Sequence, residues 1–126
     1  MSLILVVDDD EDLRATIESI IGNAIPDTSI LHAGNATEAI AIAAHRRPNL
    51  IIVDYFMPGM TGVGLSQIIS QSHDIKRVPV IMLTNVDNEQ MKRFGIQNGV
   101  SVWLVKPVVP KVLVATIRRL LRNTAG

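Results

Sequence analysis

The chain has 126 residues, of which 48% are hydrophobic, 19% charged and 3% aromatic, and it contains no cysteine. That length suffices for one self-sufficient core, and the absence of Cys excludes disulfides, thiolate nucleophiles and cysteine-type zinc sites while suiting a reducing, cytoplasmic setting. Twelve basic and twelve acidic residues cancel, which argues against a phosphate backbone as the main partner, and the longest early apolar run, residues 3–7, is far too short for a signal peptide or a bilayer crossing.

The run Ile4-Leu5-Val6-Val7 predicts a first strand over residues 3–7 that ends at Asp8 and Asp9. Asp10, Glu11 and Asp12 then fall in the first turn of a helix, where acidic groups serve as caps and as partners of the helix dipole. Leu13, Ile17, Ile20 and Ile21 form its apolar stripe, with Gly22 as the expected C-cap. A second strand over 29–33 ends at His32 and Ala33, and Ala36, Ala39, Ile40 and Ala43 mark a second helix. The third strand, 50–53, runs into Asp54 and is followed by a helix with the stripe Leu65, Ile68 and Ile69. The fourth, 78–83, ends at Thr84, and a weaker helix beginning near Asp87 carries Met91 and Phe94. The fifth, 100–105, ends at Lys106 and Pro107, after which Pro110 opens a last helix bearing Leu113, Ile117, Leu120 and Leu121.

The five apolar runs are continuous, the pattern of strands buried on both faces of a helix-covered parallel sheet. The order βαβαβαβαβα therefore predicts a doubly wound α/β domain with right-handed crossovers. The elements and their connections use up the length, so residues 1–126 read as one domain with no repeat and no linker beyond a short tail, residues 123–126.

In open α/β sheets ligands bind at the carboxyl ends of the strands. Asp8, Asp9, Asp54, Thr84 and Lys106 all stand there. Three carboxylates repel one another strongly and one Lys cannot offset them, so an oxygen-preferring divalent cation such as Mg²⁺ fits the crevice. One carboxylate can then act as a nucleophile toward phosphorus, forming an acyl phosphate, with Thr84 and Lys106 holding the phosphoryl oxygens. The run Gly59-Met60-Thr61-Gly62-Val63-Gly64 has the spacing of neither a dinucleotide fingerprint nor a P-loop. His45 and His73 read as surface and His32 as packing. From Gln90 onward there are seven basic residues and no acidic one, namely Lys92, Arg93, Lys106, Lys111, Arg118, Arg119 and Arg122. Apart from Lys106 they read as solvated helix faces, the alternative being a docking face for an acidic partner.

Val6-Val7-Asp8-Asp9, the stretch from Asp54 through Pro58-Gly59 to Gly62, Val80-Ile81-Met82-Leu83-Thr84 and Leu104-Val105-Lys106-Pro107 succeed one another over essentially the whole chain. Together they resemble the receiver domain of two-component response regulators, of the chemotaxis-regulator type. The resemblance implies a flavodoxin-like sheet in the order 2-1-3-4-5. It implies that Asp54 is the phosphoacceptor for a histidine kinase or histidine phosphotransfer protein. Asp9, Asp54 and the backbone carbonyl of Phe56 would ligate Mg²⁺, with Asp8 reaching it through water. Lys106, joined to Pro107 by a cis bond, would bind the phosphoryl group. Thr84 would swing toward that group and Trp103 would follow inward as the aromatic switch, rearranging the face of the fourth helix, fifth strand and fifth helix. The same resemblance implies a cytoplasmic signalling module that assists only its own phosphoryl transfer and slow acyl-phosphate hydrolysis. Its partners would be a downstream protein target or a fused output domain, which this chain does not contain, with no direct contact to nucleic acid or membrane and room for a phosphorylation-dependent dimer.

Three positions depart from the family pattern, which has Asp at the place of Thr61, Tyr or Phe at Trp103, and Ala or Gly at Asn85. Trp is larger than the usual aromatic, so its inward position is expected to be crowded, and Asn85 narrows the approach to Asp54. Phe56 and Val86, both apolar, flank the water path and predict slow loss of the phosphoryl group. Two other functions stay in view. A phosphatase of the haloacid-dehalogenase type would need a second Asp where Phe56 stands, and a docking module that works without phosphorylation would not need the full set of five polar residues.

Overall fold

The computed structural model describes residues 1–73, 75 and 77–124. Five strands, β1 (Ser2–Val7), β2 (Thr28–Ala33), β3 (Leu50–Val53), β4 (Val80–Thr84) and β5 (Val102–Val105), alternate with five helices. These are α1 (Glu11–Ala24), α2 (Ala36–Arg46), α3 (Gly62–Gln71), α4 (Glu89–Gln97) and α5 (Pro110–Thr124). All strand pairs are parallel and the sheet order is β2-β1-β3-β4-β5, the flavodoxin-like arrangement. The direction of winding reverses between β1 and β3, so the crevice of such a sheet opens beyond the ends of these two strands.

Alternation along each strand divides the core in two. Leu5, Val7, Ile51, Val53, Val80, Met82 and Trp103 pack with Ala36, Ala39 and Ala43 of α2 and with Val63, Leu65 and Ile69 of α3. Ile4, Val6, Leu50, Ile52, Ile81 and Leu83 pack with Ile17 and Ile21 of α1 and with Leu113, Ile117 and Leu120 of α5. The small alanines of α2 let that helix lie close on the sheet. No helix is long and apolar enough to cross a membrane, among the described residues.

Several element ends differ from the sequence reading. Val78 and Val100 pack against the core but lie outside the ladders, because β4 and β5 each begin two residues later. Gly22 does not cap α1; the helix continues to Ala24 and closes on Ile25, whose N–H donates to the Ile21 carbonyl. Nothing crowds Gly22, so the helix tolerates it at a modest cost in propensity. Asp10 is the N-cap, accepting from the amides of Asp12 and Leu13, with Glu11 and Asp12 in the first turn as expected. Helix α4 starts at Glu89 rather than near Asp87, since the Asn88 side chain caps it by accepting from Met91 N–H. Helix α5 takes in Asn123 and Thr124, while Ala125 and Gly126 of the expected tail lie outside the described residues.

Two stripe residues also point elsewhere. Ile68 is 37% exposed and Phe94 55% exposed, whereas Ile69 is among the buried residues of α3 and Gly95 is the buried residue of α4. This contrast is measurable. Ile69→Ala should cost about 2–5 kcal/mol of unfolding free energy in urea titrations, as deletions in a filled core do. Ile68→Ala should change it by less than about 1 kcal/mol. Equal losses would contradict the assignment of the buried face.

Candidate functional site

Asp8, Asp54 and Lys106 come directly after the last residues of β1, β3 and β5, at the alternate positions that continue Ile4 and Val6, Leu50 and Ile52, and Val102 and Leu104. They therefore leave from the same face of the sheet, Asp8 level with Asp54 and Lys106 two residues further along its strand. Asp8 N–H donates to the Ala33 carbonyl and Asp54 N–H to the Val7 carbonyl, each at 3.1 Å, so the ladder extends one step past the strands and fixes where both carboxylates start. Lys106 N–H likewise donates to the Thr84 carbonyl at 2.7 Å, and the Lys106–Pro107 peptide bond is cis, as expected.

One carboxylate oxygen from each of Asp8, Asp9 and Asp54 lies within 4.8 Å of the others. Asp8 is 4% exposed, Asp54 half-buried and Asp9 exposed. Lys106 Nζ stands 3.6 Å from Asp8 Oδ2 and 3.8 Å from Asp54 Oδ1. Burial pushes the Asp8 carboxyl above its ordinary value, and the neighbouring charges of Asp54 and Asp9 push the same way; the Asp10 N–H bond and Lys106 oppose them without cancelling the rise. Three carboxylates faced by one ammonium, all hard oxygen donors, make a donor set that suits Mg²⁺. Among the described residues, Asp8, Asp9 and Asp54 are the side chains grouped so as to hold it.

The two oxygens of Asp54 are not equivalent. Oδ1 accepts from Tyr55 N–H at 2.8 Å and is the oxygen nearest Lys106, whereas Oδ2 has no hydrogen bond among the described residues. Gly62 lets α3 pack on this peptide, since a Cβ there would come within 2.3 Å of the Asp54 carbonyl oxygen. The Gly-rich run that matches no nucleotide motif thus has a packing reason. Thr61 caps α3, its hydroxyl accepting from Gly64 N–H at 3.0 Å.

Thr84 and Trp103 stand at the other set of alternate positions, those of Val80 and Met82, which face the α2–α3 side of the sheet. Thr84 is fully buried and its hydroxyl accepts from Val86 N–H at 3.3 Å. Trp103 is already inside, 6% exposed, with its indole N–H donating to the Val86 carbonyl at 2.9 Å and its ring 6.1 Å from that of Tyr55. The expected crowding is relieved by Gly95 of α4, where a Cβ would lie 2.8 Å from the Trp103 ring. Sequence reasoning missed that pairing because Gly95 is eight positions away on another element. Asn85 and Phe56 are exposed beside the cluster, and Val86 is half-buried. His45 and His73 are on the surface, while His32 places Nε2 2.7 Å from Glu18 Oε1 rather than simply packing.

Comparison with known proteins agrees with this geometry. The family model described as response regulator receiver domain matches residues 4–118. The phosphate regulon transcriptional regulatory protein PhoB of Pseudomonas aeruginosa is 33% identical over 121 residues, covering 96% of this chain and 52% of that protein. The chemotaxis response regulator CheY4 of Vibrio cholerae superposes with a TM-score of 0.86 at 32% identity, over 95% of this chain and 98% of that one. The signal receiver domain of a signal transduction histidine kinase from Syntrophus aciditrophicus does so with a TM-score of 0.88 at 27% identity, over 98% of this chain and 92% of that one. The chain spans about half the length of the curated relatives it matches.

The raised Asp8 carboxyl makes a stability prediction for the protein without divalent ions. A folded-state pKa above the unfolded 3.8 means that the native form binds the extra proton, so stability falls as pH rises from 3.8 through the raised value and stays low at neutral pH. Asp8→Asn should therefore raise the melting temperature at pH 7 in chelator by a few degrees and flatten the pH dependence. A lower melting temperature for the variant under those conditions would count against the electrostatic origin of the shift.

Proposed function

The chain belongs to the response regulator receiver domain family, and on that footing we propose that Asp54 accepts a phosphoryl group from a histidine kinase or histidine phosphotransfer protein. The observation that carries the proposal is the asymmetry of the Asp54 carboxylate, one oxygen held by Tyr55 N–H and the other unbonded in the crevice. In this reading Asp54 Oδ2 attacks phosphorus in line with the departing imidazole. The P–N bond breaks, its electron pair leaves with the ring nitrogen, and the new P–O bond makes an acyl phosphate. The Lys106 ammonium, already within 3.8 Å of Asp54, meets the phosphoryl oxygens. Asp9, Asp54 and the Phe56 carbonyl, with Asp8 acting through water, would hold Mg²⁺, which would supply charge neutralisation at those oxygens. Nothing in this scheme turns over a separate substrate, and with Phe56 where a phosphatase needs a second Asp, we assign the chain no enzymatic role beyond its own phosphorylation and slow hydrolysis.

The readout we propose departs from an aromatic ring drawn in from solvent, because Trp103 already lies inside. Thr84 turns its hydroxyl from Val86 N–H to the phosphoryl group, which frees the loop that Trp103 holds by the Val86 carbonyl. The strain passes through Trp103 and Gly95 to α4 and so to the face of α4, β5 and α5. Relatives named as transcriptional regulators are about twice the length of this chain, and we propose that residues 1–126 act through protein contacts, with a target or a fused output domain, rather than by touching nucleic acid themselves.

Incubation with acetyl phosphate and Mg²⁺ should give a single acid-stable, base-labile phosphoryl adduct by intact-protein mass spectrometry. Asp54→Asn or removal of Mg²⁺ should abolish it. Absence of any adduct, with unchanged Trp103 fluorescence in beryllofluoride, would favour a docking module that works without phosphorylation. Phe56 and Val86 cannot orient water, so the adduct should persist for minutes or longer and Phe56→Asn should shorten its life several-fold. Decay within seconds, unaltered by that substitution, would contradict the role given to Phe56.

A further inference from the structure

Arg14 is a half-buried cation that phosphoryl transfer to Asp54 does not use. It lies on α1, one turn past the Asp10 cap, and among the described residues it forms no ion pair. Its Nε is buried without a hydrogen-bond partner. Its Nη1 donates to the Asp8 carbonyl and stands 3.5 Å from the Ala33 carbonyl, the same oxygen that receives Asp8 N–H. A half-buried guanidinium set against backbone carbonyls, with no carboxylate partner and its Nε left without a hydrogen bond, is a costly arrangement that ordinary helix packing does not call for.

The carbonyl it grips belongs to the peptide that joins Asp8 to Asp9. Holding that oxygen fixes the plane of the peptide, and the plane sets the directions in which the two carboxylates leave the chain. Gly34, directly after β2, leaves room for the grip, since a Cβ there would sit 3.3 Å from Nη1. We propose that Arg14 is a positioning residue for the divalent-cation site: it locks the Asp8–Asp9 peptide so that both carboxylates converge with Asp54, and it adds positive charge behind the cluster without competing for its oxygens. This rests on the reading of Asp8, Asp9 and Asp54 as the Mg²⁺ site. The chemistry is that of an outer-shell group that orients ligands it never replaces, and loss of such groups commonly weakens metal binding about 10–100-fold.

The test is Mg²⁺ binding by isothermal titration calorimetry on the full chain, with melting temperatures measured in parallel. Arg14→Gln should raise the Mg²⁺ dissociation constant about tenfold, the low end of that range, and Arg14→Lys, which can reach one carbonyl only, should fall between it and the parent. Gly34→Ala keeps the charge but crowds Nη1; it should weaken Mg²⁺ in the parent and have no further effect in the Arg14→Gln background. Ile69→Ala, destabilising but remote, should lower the melting temperature and leave the dissociation constant in place. Should Arg14→Gln fail to fold, Arg14→Lys and Gly34→Ala carry the same comparison. Equal Mg²⁺ affinity in the parent and the Arg14 variants, or an equal effect of Gly34→Ala in both backgrounds, would overturn the positioning role alone. No Mg²⁺ binding by the parent would overturn the metal reading and this role with it.

Discussion

Everything at the carboxyl edge of the sheet answers to one electrostatic imbalance: three carboxylates share a crevice with a single ammonium. Asp8, Asp9 and Asp54 bring oxygens within 4.8 Å of one another, and Lys106 approaches two of them at 3.6 and 3.8 Å. At such distances like charges repel by several kcal/mol unless solvent or a counter-ion intervenes, roughly 4 kcal/mol per pair at 4 Å in a partly screened site. The Asp8 carboxyl is raised above its ordinary value chiefly because it is buried, and repulsion from Asp54 and Asp9 adds to that rise. A fold that keeps such an arrangement sacrifices stability at the site, and the return is a pocket that a small divalent cation and an anionic phosphoryl group can complete together.

The sheet makes this arrangement possible through alternation. Because Asp8, Asp54 and Lys106 leave three parallel strands in the same phase of alternation, they start from the side of α1 and α5. Thr84 and Trp103 leave on the opposite phase and look toward α4. The two sets thus leave opposite faces of the sheet, and Val86 ties Thr84 to Trp103, its N–H donating to the Thr84 hydroxyl and its carbonyl accepting from the indole. An indole N–H bond and a glycine notch hold Trp103 in place, so the path from crevice to α4 is packed before any ligand arrives.

The sequence was legible wherever the signal is local. Continuous Ile, Val and Leu runs mark buried parallel strands, and the polar residues that terminate those runs, Asp8, Asp54, Thr84 and Lys106, identify the crevice without knowledge of distances. Helix ends were less legible where a side chain caps: Asn88 shifts the start of α4, and Gly22 looks like a stop although nothing in its surroundings requires one. The residues missed altogether act through contacts between distant segments. Arg14 reads as a polar helix residue until its guanidinium is seen on the Asp8 carbonyl. Gly34, Gly62 and Gly95 read as loop or weak helix until their neighbours are known. Trp103 seemed too large for its place because the room it occupies is supplied by α4. The aliphatic composition also sharpens: the rings of Tyr55 and Trp103 are packed between the crevice and α4, while Phe56 and Phe94 are exposed.

Repulsion among the crevice carboxylates is the quantity on which the site depends, and heat denaturation measures it. Millimolar Mg²⁺ should raise the melting temperature at pH 7 well above that in Na⁺ of equal ionic strength. In a variant carrying Asp8→Asn, Asp9→Asn and Asp54→Asn together, the difference between the two salts should vanish. Identical melting of the parent protein in the two salts, or an undiminished Mg²⁺ effect in the triple variant, would contradict a carboxylate-built cation site.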